Sequence, residues 1–165
     1  MKKLFSLLLF VLMITSCSTT KQLSQAEIKA MTTKQYEANY DLTFTSSMSL
    51  LQSEGFIITN TDKSSGLINA MKEIDNKNSD WEFFLLGTTK SNSTCNIAML
   101  ISPINGAITE VKMTIYEGGT TKTSYGYFGI KDETKSSMVQ DAEIYNLWFD
   151  DLSVEIERRK ALLGK

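Results

Sequence analysis

The spacing of apolar residues changes once along this chain, and that change constrains the fold more than any other feature. From 108 to 117 apolar and polar residues alternate, with Val111, Met113 and Ile115 on one side and Glu110, Lys112 and Thr114 on the other. A period of two marks a strand with one buried and one solvated face. After Asp132 the period lengthens to about three and a half, and Val139, Ala142, Tyr145, Phe149, Leu152, Ile156 and Leu163 fall on one helical stripe that Trp148 widens. Asp132, Glu133, Asp141 and Glu143 lie in the approach and first half, and Arg158, Arg159 and Lys160 lie near the end, as the helix dipole favours.

Shorter signals fill in the remainder. A first strand is expected over 32–38, then a helix capped by Asp41 and running to Ser53, with Phe44, Met48 and Leu51 on one face and Gly55 as its stop. Strand, polar turn and strand follow over 56–61, 62–66 and 67–73, the turn ending in Gly66. Further strands are expected over 81–89 and 95–102, and Gly118 with Gly119 predicts a turn into a shorter strand around 121–128. Strands grouped ahead of a long helix define an α+β fold, a curved antiparallel sheet with a short N-terminal helix and a long C-terminal helix packed on it. With 165 residues, 42% hydrophobic, 22% charged and a single proline, the chain suits one globular domain.

The first residues carry a different message. Lys2 and Lys3 precede an apolar run over 4–14 broken only by Ser6. At ~1.5 Å per residue that run covers about half of a bilayer's hydrocarbon core, which makes it a signal rather than a span. Ile14, Thr15, Ser16 and Cys17 close it, and they resemble the lipobox of bacterial lipoproteins. The resemblance implies cleavage before Cys17 by signal peptidase II and acylation of its thiol and new amino group. Ser18 in place of an aspartate implies transfer to the outer membrane. The expected organisation is therefore a signal peptide at 1–16, a lipidated tether at 17–31 in which Ser24 and Glu27 cap one short helical turn, and a single domain at 32–165. Two or three acyl chains would make the attachment effectively permanent.

Chemistry inside the domain is sparse. There is no histidine, which removes the commonest general base and zinc ligand, and a net charge of −2 argues against nucleic acid. Cys95 alternates with Ile97, Met99 and Ile101 and is expected to be a small core residue. Asn76, Asn78 and Asp80 begin like a calcium loop, but Trp81 and Gly87 stand where it needs glycine and glutamate, so no metal is expected. Glu73, Asp75, Asp80, Glu82, Glu110 and Glu117 are the acids a hydrolase would need to bring together. Tyr116, Tyr125, Tyr127 and Phe128, with Trp148, are the candidate groove or partner surface, weighed against aromatic packing of the last helix.

The stretch over 32–72, with Leu51, Gly55, Phe56 and Ile58 and then Asp62, Gly66, Leu67 and Ile68, resembles small bacterial lipoproteins whose helix ends in Leu…Gly-Phe-x-Ile before Asp…Gly-Leu-Ile. It looks like the helix-grip domains of the assembly lipoprotein BamC. That resemblance implies a fold and transfers no site residue. The expectation is a non-enzymatic envelope lipoprotein, without cofactor, that contacts the membrane through acyl chains on Cys17 and binds or scaffolds another envelope protein. The alternatives are a binder of an apolar ligand between sheet and C-terminal helix, and a carboxylate-based hydrolase.

Overall fold

A computed structural model describes residues 23–74, 93–124 and 130–164, with side chains for all of these except 93, 119–124 and 130–135. The fold is α+β, an open antiparallel sheet of six strands with a short helix at the N-terminal side and a long C-terminal helix packed on it.

Helix α1 (Gln25–Thr32) opens on a capping box. Ser24 Oγ accepts from the Glu27 N–H and the Glu27 carboxylate accepts from the Ser24 N–H at 2.8 Å. The cap therefore starts two turns rather than one, and α1 occupies the second half of the segment 17–31 expected to be a tether. Its last residue, Thr32, is buried and donates its hydroxyl to the Ile28 carbonyl. Strand β1 (Thr33–Tyr36) follows directly, shorter than the expected 32–38 because the helix claims Thr32.

Helix α2 (Tyr40–Ser53) is capped by Asn39, whose side chain accepts from the Leu42 N–H at 2.9 Å, not by Asp41, which lies in the first turn. Both are good capping types, and the choice falls to the residue whose backbone is extended. Strands β2 (Ile57–Asp62) and β3 (Leu67–Ile74) form the expected hairpin. Asp62 accepts from the backbone N–H and hydroxyl of Ser64 and from the Ser65 hydroxyl, which holds the turn and keeps its carboxyl near pKa 2. Gly66 ends the turn at φ +78°, and its carbonyl accepts from the Ile101 N–H at 2.9 Å. A Cβ there would meet the Ile101 carbonyl oxygen at 2.0 Å, so only glycine fits. Among the described strands β2 forms one edge of the sheet, and its register with β3 slips between Ile58 and Asn60, a bulge that places Thr59 out of step.

Strands β4 (Ser93–Pro103), β5 (Thr109–Ser124) and β6 (Ile130–Met138) complete the sheet in the order β1-β5-β4-β3-β2, with β6 also on β5. Two expectations fail here. Gly118 and Gly119 form no turn, since Gly118 pairs with Thr94 on one side and Ser136 on the other within a continuous β5. Residues 132–138 form strand β6 rather than the approach to a helix, because this polar stretch pairs with the far half of β5 through its backbone and shows no apolar alternation. Helix α3 (Ala142–Leu163) then begins after Asp141, whose side chain accepts from the Glu143 N–H, and ends at Gly164 in the left-handed region.

The core lies between one sheet face and the two longer helices. Ile68 and Ala70 from β3, Cys95, Ile97, Met99 and Ile101 from β4 and Val111, Met113 and Ile115 from β5 meet Leu50 and Leu51 of α2 and Tyr145, Phe149, Leu152 and Ile156 of α3. Each such aliphatic residue contributes roughly 1.5–3 kcal/mol through burial. Helix α2 also buries Thr43, Ser46 and Ser47, small polar residues that its apolar pattern does not announce.

Candidate functional site

The strand alternation that fills the core leaves a second sheet face, and its pairing registers place defined rows there. Ile57, Met71, Asn96 and Tyr116 lie side by side across β2, β3, β4 and β5. Leu67, Leu100 and Lys112 form a parallel row, and Asn69, Ala98 and Thr114 lie between them. Ile57 is 67% exposed, Leu100 42% and Tyr116 39%. A row of methionine, tyrosine and isoleucine in contact with water, interrupted by amides, has the composition of a recognition surface more than of a plain solvated face.

The candidate residues separate in space. Tyr116 belongs to this outer row. Trp148 does not, for it is 3% exposed and packs edge-on against Phe56 with ring centroids 5.6 Å apart, inside the core between helix and sheet. It offers nothing to a partner. Tyr125, Tyr127 and Phe128 lie outside the described residues, as do Cys17 and the calcium-like stretch 76–80. The outer-row residues Ile57 and Leu100 were missed by sequence reasoning, although the signal was present. Ile57 and Ile58 are adjacent in a strand, as are Leu100 and Ile101, and adjacent strand residues cannot face the same side.

The acids do not converge among the described residues. Glu110 and Glu117 are seven residues apart on β5, about 23 Å at strand rise, and point to opposite faces. Glu73 pairs with Thr94 at the far end of the sheet from Glu110, and Glu110 accepts from the Gln35 amide at 3.4 Å. No three described histidine, cysteine, aspartate or glutamate residues stand close enough to hold a metal ion. Burial pushes the Cys95 thiol up to about 12, with Glu117 adding to the shift and Lys72 opposing it, so the group is an inert core residue at ordinary pH.

One cavity of about 230 Å³ opens between β1 and α3, floored by Tyr36 and Ile156 and rimmed by Lys34, Glu37, Glu157 and Lys160. Lys34 is paired with Asp150 at 2.8 Å, and Lys160 holds Glu157 at 2.7 Å and the Glu37 carbonyl at 2.8 Å. The Tyr36 hydroxyl donates to the Phe149 carbonyl, and burial raises its pKa. A charged rim and a volume below the usual ligand range suit an apolar molecule poorly.

Neither a protein-family model nor any curated protein sequence matches this chain. Among the described residues no helix is long and apolar enough to cross a membrane.

Proposed function

We propose that this protein is a lipoprotein of the bacterial envelope, held at the outer membrane by acyl chains on Cys17, whose α+β domain has no catalytic role and binds another envelope protein. The observation that carries the reading is the sequence over 2–17, in which charged residues, an apolar run, two small residues and a cysteine follow in the order that lipidation requires. Helix α1 supports the geometry. Its cap, Ser24, leaves only Ser18 to Leu23 as a link, which spans at most about 20 Å and keeps the folded domain close to the bilayer. The outer row of Ile57, Met71 and Tyr116 supports the binding part, since an acyl anchor takes care of attachment and leaves these side chains free for recognition.

Metabolic labelling with a palmitate analogue tests the anchor. Label enters the native chain, and Cys17→Ser loses both label and membrane fractionation. Unchanged labelling or fractionation in that variant removes the proposal. Cross-linking in intact cells tests the binding part. One reproducible envelope partner is expected, with a yield that falls in Tyr116→Lys and Met71→Lys, and equal yields in these variants exclude the outer row as the contact.

A further inference from the structure

We infer that the outward face of helix α3 pairs with the same face of a second copy of this chain, antiparallel and about a two-fold axis beside Val154. Leu147, Val154 and Ala161 recur at seven-residue intervals on the exposed side of α3, and Val154 is 68% exposed. This gives one apolar position per heptad, half of a full coiled-coil seam, with the charged residues Asp150, Asp151, Glu157 and Arg158 at the positions between. The line points away from the domain's own core.

The charges beside this line identify the occupant. On one flank, Asp151 has no hydrogen bond or ion pair among the described residues, while Arg158 is 53% exposed and held only by Glu155. An antiparallel two-fold arrangement brings Asp151 of each copy within one residue's rise of Arg158 of the other, because the two lie at nearly equal distances on either side of Val154. On the other flank, Asp150 and Glu157 would face one another as like charges, but Lys34 neutralises the first and Lys160 the second within each chain. The same operation sets Leu147 against Ala161 and Leu162, and Leu162 is among the most exposed apolar residues described. A parallel arrangement would instead set the Asp151 and Arg158 flank against the Asp150 and Glu157 flank of the other copy. That places Asp151 beside Asp150 and leaves Arg158 beside Glu157, an acid already held by Lys160. The antiparallel orientation is the one that gives Asp151, unpaired among the described residues, a cation on the facing copy. The contact is short, so the association is weak and depends on concentration.

The test uses the full chain in membranes, with Val154→Cys as probe, Thr61→Cys on exposed strand β2 as a distant control and the unsubstituted chain as baseline, Cys95 being buried. Mild oxidation is expected to give a disulfide-linked dimer from Val154→Cys about tenfold faster than from Thr61→Cys, and Asp151→Arg or Arg158→Asp added to the probe to lower its yield by a similar factor. Mixing these two charge variants, tagged to different sizes, restores a heterodimer, which shows that both are folded. The inference is overturned by equal rates at Val154→Cys and Thr61→Cys, by capture of a different protein at position 154 in place of a dimer, by reversals without effect, or by a mixture that fails to recover.

Discussion

The hydroxyl of Tyr145 caps the backbone of Ile115. It accepts from the Ile115 N–H at 3.1 Å and donates to the Val139 carbonyl at 3.1 Å, while the Val139 N–H donates to the Ile115 carbonyl at 2.9 Å. These bonds fall where β5 has left β1, whose pairing ends at Lys112, and is taken up by β6, whose pairing begins at Tyr116. A side chain from α3 thus closes a break in the sheet's edge. Tyr145→Phe preserves the core shape and strands one buried donor and one acceptor. Urea denaturation should show a loss of about 2 kcal/mol with an unchanged slope.

Gly66→Ala tests the approach of the β2–β3 turn to β4. The new methyl group meets a backbone oxygen that cannot move without displacing Ile101, and φ +78° disfavours any side chain. A loss of more than about 3 kcal/mol is expected, read as a lowered thermal midpoint. Gly55 also has a positive φ, yet a Cβ there meets only the end of the Lys72 side chain, so Gly55→Ala should cost clearly less.

Ser46→Ala should stabilise the protein. Its hydroxyl is fully buried in α2 and finds no hydrogen-bond partner among the described residues. Removing an unpaired hydroxyl and introducing a better helix former should add about 1 kcal/mol, measured as a higher denaturation midpoint.

Glu155 sets part of the acid limb. Hydrogen bonds from Arg158 above all, then from Ser49 and Arg159, hold its carboxyl near pKa 2 against the opposing effect of burial. Its folded pKa lies below the ordinary value near 4.5, so its contribution is fully present above that value and is lost as pH falls towards 2. Thermal midpoints of the native chain should drop across that window, and Glu155→Gln should flatten the drop. Equal slopes in the two proteins would exclude Glu155 as a source of acid sensitivity.

Legibility in the sequence followed side-chain signal. The β2–β3 hairpin and the inward faces of β4 and β5 could be read because Ile68, Ile97, Met99, Val111 and Met113 alternate with polar neighbours. The stripe Tyr145, Phe149, Leu152 and Ile156 gave α3 for the same reason. Gly118 in mid-strand and the polar strand β6 could not be read, since the backbone pairing of β5 with its neighbours sets both and neither has apolar side chains to reveal it. In α2 a face of threonine and serine is buried by close packing, which no hydropathy pattern marks. Of the candidate surface, Tyr116 could be read as an aromatic residue on a strand, whereas Trp148 misled because bulk alone does not say whether a ring faces water or core.

The slip at Thr59 has a consequence for a protein that would be crowded with its copies in two dimensions. Among the described residues β2 pairs on one side alone, and a straight β2 would display a regularly spaced ladder of amides and carbonyls there, the template on which identical strands zip into ribbons. One residue out of phase interrupts that ladder, which makes this margin a poorer template for an ordered fibre than a straight strand would be.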